Sequence, residues 1–290
     1  MISTKLPHDL AQCVQQALDE DLLGDGARQY SDINADLIPA EKTDHARIVC
    51  RETAVIAGTA YAEEAFRQID DRCELVWHVH DGERVEADTV LCDVKGPSRA
   101  LLTAERAALN FLQTLSGTAT TTAQYVAAVE GTSAKLLDTR KTLPGLRNAQ
   151  KYAVLCGGGH NHRIGLYDAF LIKENHIAAS GSISAAIERA RQAHPNTLLE
   201  IEVENHEELM EAIDAQPDRI MLDNFSLGDL RSAVEEKPEG IDYEASGGIT
   251  LDNLRAVAET GVDYISLGVL TKDLHSIDLS MRVVDEKPLP

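Results

Sequence analysis

The chain has 290 residues, 43% of them hydrophobic, enough to bury one large core or two smaller ones, and two domains are expected. Its 27 lysines and arginines face 48 aspartates and glutamates; the net charge of −21 excludes a nonspecific nucleic-acid binder, which needs a broad basic face. No apolar stretch approaches the roughly 20 residues that cross a bilayer, and MISTKLPHDL lacks the basic-then-apolar order of a signal peptide, so a cytoplasmic protein with no membrane partner is expected.

In chain order, the pattern predicts an amphipathic helix near 8–20, a strand through HARIVCRE, a helix around 59–69 and further strands through ELVWHVHDGERVEADTVLCDVKG. Residues 1–112 therefore read as an α+β domain. SRALLTAERAALNFLQTLSG follows, with apolar positions near 101, 104, 108, 112 and 115 on one helical face; Arg106 is displaced from that face and by itself reads as a solvated charge. From there strand-like and helix-like segments alternate, the signal of parallel βα units. Six strands are expected in AKLLDT, AFLIK, LLEIEVE, RIMLDN, YEASGG and YISLG, with helices at 182–193, 206–215 and 250–259 among them. Repeated units of this length close most readily into a barrel, with a doubly wound sheet as the alternative. Residues 113–270 are assigned to an α/β barrel, and the tail 271–290, which loses the rhythm, is expected to pack back on the first domain.

Polar residues fall where a barrel would use them. Arg140 with Lys141, Lys173, Glu202, Asp223, Ser246 with Gly247 and Gly248, and Gly268 each lie at or just past the C-terminal end of a different predicted strand. In a βα barrel those ends share the face that holds the active site. Residues 135–173 carry seven lysines and arginines against two aspartates, a basic region that suits a small anionic ligand. SGGIT ahead of a helix fits a phosphate site, because glycine lets the backbone come close and helix N-termini favour anions; alone it is also a common tight turn. GGGHNHR lacks the Lys-Ser/Thr of a P-loop, and His160 and His162 lack the spacing of a helical zinc pair, so His160 reads as a structural or surface residue. Cys13, Cys50, Cys73, Cys92 and Cys156 contain no C-x-x-C pair and read as buried thiols.

Taken together, ERAALNFLQTLSG, LLDTRKTLPGLR, KYAVLCGGGHNHRIGLYDAFLIKENH, EIEVEN, IMLDNF, SGGI and DYISLG resemble the quinolinate phosphoribosyltransferase family, in order over about 100–283 and more weakly upstream through WHVHDGERV and GPSR. The resemblance implies the type II phosphoribosyltransferase fold, whose barrel is TIM-like but incomplete. It also implies a pentosyltransferase of NAD biosynthesis that joins quinolinate to the ribose of phosphoribosyl pyrophosphate, releasing pyrophosphate and carbon dioxide and leaving nicotinate mononucleotide. By the same resemblance Arg106, Thr139, Arg140, His162, Arg163 and Lys173 bind quinolinate, whose two carboxylates suit guanidinium forks.

Ser246, Gly247, Gly248, Leu267 and Gly268 correspond to the phosphate positions; Gly248 stands where some relatives carry a larger polar residue, and still offers its backbone donor. Lys141, Glu202 and Asp223 are the expected catalytic residues. Lys141 would help pyrophosphate leave, and the two carboxylates would hold the ribose, face the charge growing at its anomeric carbon and bind magnesium directly or indirectly. The alkylated pyridine nitrogen stabilises the carbanion left by decarboxylation, so no organic cofactor is expected. ERAALN matches a segment that contributes an arginine across a twofold interface, implying a homodimer in which Arg106 acts in trans. A phosphoribosyltransferase for another acidic ring would need a different carboxylate pocket, and a noncatalytic anion-binding barrel would have no use for Glu202 and Asp223.

Overall fold

The computed structural model describes residues 5–24 and 29–284. Helix α1 (Leu10–Leu22) buries Val14, Leu18 and Leu22, spaced four apart on one face. It is followed by β1 (Thr43–Cys50), β2 (Ala54–Val55), α2 (Thr59–Ile69), β3 (Glu74–Trp77), β4 (Arg84–Val85), β5 (Val90–Pro97) and α3 (Ser98–Ala128). Strand β5 pairs antiparallel with both β1 and β3, and β2 pairs with β4. Alternation turns Ala46, Ile48 and Cys50 of β1 into the core. His45 and Arg47 lie on the other face with His78, and all three side chains meet the Asp93 carboxylate. Burial alone would raise the Asp93 pKa, but these partners hold it well below the usual carboxylate range.

Helix α3 is longer than its sequence suggests. The helix-like run SRALLTAERAALNFLQTLSG stops at Gly117, yet the helix runs on to Ala128. A Cβ on Gly117 would lie 2.1 Å from the His275 carbonyl oxygen, so this glycine serves a close backbone approach and does not stop the helix.

The remaining elements are β6 (Lys135–Leu137), α4 (Arg147–Cys156), β7 (Phe170–Ile172), α5 (Glu174–Ser180), α6 (Ile183–Ala193), β8 (Leu199–Val203), α7 (His206–Asp214), β9 (Arg219–Asp223), α8 (Leu227–Glu235), β10 (Asp242–Ser246), α9 (Leu251–Ala258), β11 (Tyr264–Ser266), α10 (Val269–Lys272) and β12 (Leu279–Val283). Two compact units result: Met1–Ala123 with Leu143–Gly158 and Asp273–Pro290, and Gln124–Thr142 with Gly159–Lys272. The division expected at 112/113 thus falls inside α3, and residues 143–158, placed by sequence in the barrel, belong to the first unit. There α4 adds Ala149, Tyr152, Ala153 and Cys156 to the core that the first three helices share with strands β1, β2, β4 and β5. Strand β12, from the tail, pairs antiparallel with β1 and completes the order β12-β1-β5-β3.

In the second unit six parallel strands follow the order β6-β11-β10-β9-β8-β7. A one-residue bridge extends the sheet beyond β6: the Asp138 N–H donates to the His160 carbonyl at 3.0 Å, and the His160 N–H to that of Leu136 at 2.8 Å. Between His160 and β7 there is no ladder among the described residues, so the barrel is incomplete on that side. Side chains of non-adjacent strands still meet inside it, as His162 does with Glu200 of β8 and Glu244 of β10. Ser182, Asn205 and Ser226 accept backbone N–H bonds at the starts of α6, α7 and α8, and Thr250 with Asn253 forms a capping box on α9. Strand β8 is buried on both faces, as a strand of a covered parallel sheet must be. Among the described residues no helix is long and apolar enough to cross a membrane. Cys50, Cys92 and Cys156 are buried, Cys13 and Cys73 are half-buried, and all five are free thiols.

Candidate active site

A cavity of about 330 Å³ opens at the C-terminal ends of the barrel strands. Thr139, Arg140 and Lys141 line it after β6, Lys173 after β7, Glu202 on β8, Asp223 on β9 and Ser246 on β10, with His162 and Arg163 from the segment that bridges β6. Five of the six strand ends expected from sequence to carry chemistry therefore contribute to one pocket; Gly268 is not in its lining.

Its positive side is built from crowded cations. Burial, and then the neighbouring Arg140 guanidinium, lower the Arg163 pKa, which marks two guanidiniums close enough to repel. The Arg163 guanidinium also donates through Nη1 to the Ala169 carbonyl at 3.1 Å, across the open side of the barrel. The Lys141 stem passes over Gly268, where a Cβ would lie 3.0 Å from Lys141 Cδ. Its backbone is held at both ends: the N–H donates to Thr139 Oγ1 at 3.1 Å and the carbonyl accepts from Thr271 Oγ1 at 2.9 Å.

The acidic side is positioned as closely. Glu202 is nearly buried and ion-paired with Lys173, so a residue expected to bind quinolinate and one expected to face the ribose are joined in this structure. Asp223 Oδ2 accepts from Asn224 Nδ2 at 2.8 Å. Asn224 holds a left-handed φ of 58°, and a Cβ on Gly247 would sit 2.2 Å from Asn224 Oδ1. Gly247 is thus required by the side chain that orients Asp223. Two carboxylates facing one cavity fit Mg²⁺, which takes one or two of them together with phosphate oxygens.

Four expected phosphate residues, Gly247, Gly248, Leu267 and Gly268, are not in the lining of this cavity. Gly247 and Gly248 line a neighbouring cavity of about 320 Å³ with the start of α9, and Ser246 lines both cavities. Leu267 is a correction: its side chain is buried and its N–H already donates to the Leu137 carbonyl at 2.9 Å, so that amide is committed to the sheet and not offered to phosphate. Arg106 is exposed on α3 and belongs to the first unit, whereas every residue lining the 330 Å³ cavity belongs to the second.

Beneath the cavity His162 meets a polar cluster whose other members, Glu200, Glu244 and Arg219, sequence reasoning missed. Glu200 and Glu244 are fully buried in the barrel interior. His162 Nε2 lies 2.8 Å from Glu200 Oε2 and 3.6 Å from Glu244 Oε2, and Arg219 Nη1 lies 3.2 Å from the latter atom while its guanidinium covers the Tyr264 ring at 3.9 Å. Burial raises both glutamates above the usual carboxylate range, and for Glu244 the charge of Glu200 adds to it. His162, Glu200 and Glu244 are the one group of three potential metal ligands among the described residues, but Arg219 already brings a cation to the carboxylates. Asp138, also fully buried, accepts from the His162 N–H at 2.9 Å and from Asn161 Nδ2 at 2.6 Å and so fixes the bridging segment. The signal for Glu200 and Glu244 was their alternation with apolar residues in strands that are buried on both faces.

Comparison with known proteins gives this geometry its context. Residues 32–116 match the family model "Quinolinate phosphoribosyl transferase, N-terminal domain" and residues 118–282 its C-terminal counterpart. A relative from Bacillus subtilis (strain 168), named probable nicotinate-nucleotide pyrophosphorylase [carboxylating], is 45% identical over 87% of this chain and 88% of its own. One from Mycobacterium leprae with the same activity name is 41% identical over 92% and 95%. The solved nicotinate-nucleotide pyrophosphorylase from Francisella tularensis superposes with a TM-score of 0.91 at 44% identity, covering 97% of this chain and 98% of that one. With both domains matched and relatives this similar over nearly their full length, the chain belongs to the quinolinate phosphoribosyl transferase family.

Proposed function

We propose that this chain transfers phosphoribosyl from phosphoribosyl pyrophosphate to the ring nitrogen of quinolinate and decarboxylates the product, yielding nicotinate mononucleotide, pyrophosphate and carbon dioxide. The observation that carries the reading is the pairing of Arg140 and Arg163 with Lys141 and Lys173 in a cavity that also holds Glu202 and Asp223. A dianion needs several donors, and a developing cation needs carboxylates; one pocket supplies both.

Quinolinate enters with its carboxylates toward Arg140, Arg163 and Lys173, while Thr139 adds a hydroxyl and His162 backs the pocket. Lys173 then exchanges part of its pairing with Glu202 for a substrate carboxylate. The ring nitrogen attacks the anomeric carbon as the bond to pyrophosphate breaks. Glu202 and Asp223 face the positive charge that builds on the ribose and accept from its hydroxyls, and Lys141 stabilises the leaving pyrophosphate. Ser246, Gly247, Gly248 and Gly268 offer backbone and hydroxyl donors to the phosphates. Glu202 and Asp223 would hold Mg²⁺ arriving with the pyrophosphate, where it supplies charge neutralisation. The positive ring nitrogen then stabilises the electron pair left on the neighbouring ring carbon as carbon dioxide departs, and a proton taken up from solvent at that carbon completes nicotinate mononucleotide, in a pocket that otherwise excludes water.

Arg106, exposed on α3, completes the quinolinate site of a second copy in a homodimer, as its family segment implies. A cytoplasmic location belongs to the same reading. Carbon dioxide release from quinolinate should require phosphoribosyl pyrophosphate, and a purified protein that binds both substrates without releasing it would overturn the assignment.

A further inference from the structure

A second cavity, of about 380 Å³, lies against β7 on the open side of the barrel, between that strand and helices α5 and α6. Phe170 and Ile172 of β7 and Ala186 and Ala190 of α6 give it apolar walls, and the alanines leave room that larger side chains would fill. Arg163, Arg189 and His176 also line it, and no aspartate or glutamate does, although the chain carries a net charge of −21. Arg189 is exposed and has no ion-pair partner among the described residues. His176 Nδ1 accepts from the Lys173 N–H at 3.0 Å, which leaves Nε2 as the donor of the neutral ring. Apolar walls with two guanidiniums and an N–H donor complement a carboxylate carried on an apolar body, and the volume suits a small molecule.

Its walls couple this outer cavity to the active-site cavity. Arg163 and Leu171 line both. The Arg163 guanidinium is tied at 3.1 Å to the carbonyl of Ala169, another residue of the outer lining. Lys173, on the inner side, has its backbone N–H held by His176, on the outer one. We propose that the outer cavity binds an apolar monocarboxylate, and that this carboxylate draws the Arg163 guanidinium away from quinolinate, so that the two ligands oppose each other without sharing space. The coupling, though not the site, rests on the reading of the inner cavity as the quinolinate site. A guanidinium turned to meet a carboxylate by two parallel bonds on one side of the wall is lost to that geometry on the other. Quinolinate keeps Arg140 and Lys173, so the antagonism is partial. Linkage makes it mutual: quinolinate weakens the outer ligand by the same factor as that ligand weakens quinolinate.

The probe is octanoate, with octanol as the uncharged control. In isothermal titration calorimetry octanoate should bind the protein and octanol should not. Octanoate should raise the quinolinate KM to a plateau about 10- to 100-fold above the parent value, the range of one charge-assisted hydrogen bond, with kcat unchanged. Two variants locate the probe: Ala190→Phe fills the outer cavity, and Arg189→Glu, at an exposed position, puts a like charge in its wall. Each should weaken octanoate binding by about 10-fold or more, and each should keep the quinolinate KM without octanoate within about threefold of the parent. No octanoate binding to the parent, octanol binding as tight as octanoate, or octanoate bound with an unchanged quinolinate KM would overturn the proposal. So would a KM that climbs without a plateau, since octanoate would then occupy the quinolinate cavity itself. Octanoate affinity unaltered by Arg189→Glu would also overturn it, and decides the matter even if Ala190→Phe does not fold. A parent protein with no turnover would fail the functional reading instead, and calorimetry of parent and variants would still test the site.

Discussion

Replacing Gly247 by alanine should do more damage than the same change at Gly248, its neighbour in the turn. Both glycines have positive φ, 89° and 61°, so an L-residue at either incurs about 1–2 kcal/mol of backbone strain. They differ in what the new methyl meets. At Gly248 nothing lies within 4 Å, whereas at Gly247 the methyl would sit 2.2 Å from Asn224 Oδ1, 2.6 Å from Cγ and 3.0 Å from the backbone nitrogen. That nitrogen cannot retreat without breaking its bond to the Ser246 carbonyl at 2.9 Å, so the side chain must move. Overpacking of this kind adds about 1–3 kcal/mol. Urea denaturation should therefore show a loss of about 1–2 kcal/mol for Gly248→Ala and about 2–5 kcal/mol for Gly247→Ala. Moving Asn224 also releases Asp223, and a misplacement near 1 Å at the reacting centre should lower kcat/KM for phosphoribosyl pyrophosphate about 100-fold in the Gly247 variant. Equal stability of the two variants, or normal turnover of Gly247→Ala, would refute the claim that Gly247 exists to admit Asn224.

Lys141→Ala should keep the parent melting temperature, because it removes an exposed side chain, yet lose about 100-fold or more in turnover at saturating substrates; near-normal kcat would remove Lys141 from the leaving-group role. Chelation of magnesium should stop turnover while leaving far-ultraviolet circular dichroism unchanged, and loss of helical signal would mean a structural metal. For Asp93, a folded pKa below the unfolded one means that the carboxylate stabilises the fold above the ordinary carboxylate range and loses that effect as pH falls. Asp93→Asn should accordingly cost about 1–2 kcal/mol at pH 7, with the gap to the parent closing in denaturation curves taken toward pH 3; a gap that widens on acidification would contradict the sign. Inactive Arg106→Ala and Lys173→Ala proteins, dissociated and reassembled in equal amounts, should recover about a quarter of parental activity, since half the dimers are mixed and each has one intact site. Tagged mixed dimers without activity would place Arg106 in its own subunit's site.

The barrel strands were legible because each ends where an apolar run meets a polar or glycine residue, and the helix starts because Ser182 and Thr250 are good caps. The length of α3 was not, since Gly117 carries the same signal whether it ends a helix or admits the His275 carbonyl. Nor could the pattern reveal that residues 143–158 leave the barrel between two of its strands, because an amphipathic helix looks the same in either unit. Of the residues around the cavity, those at strand ends were named from the sequence and those inside strands were not. Glu200 and Glu244 alternate with apolar neighbours as a half-exposed strand would, and only closure of the barrel turns those positions inward. Leu267 differs for the opposite reason: the resemblance placed it among the phosphate positions, but its amide is the last rung between β11 and β6.

The most direct test follows quinolinate labelled in the carboxylate next to the ring nitrogen. With phosphoribosyl pyrophosphate and magnesium present, the label should leave as carbon dioxide in equal amount to pyrophosphate and nicotinate mononucleotide, and none should leave when phosphoribosyl pyrophosphate is omitted. Label released without that substrate, or pyrophosphate formed without loss of label, would contradict alkylation of the ring nitrogen as the step that makes decarboxylation possible.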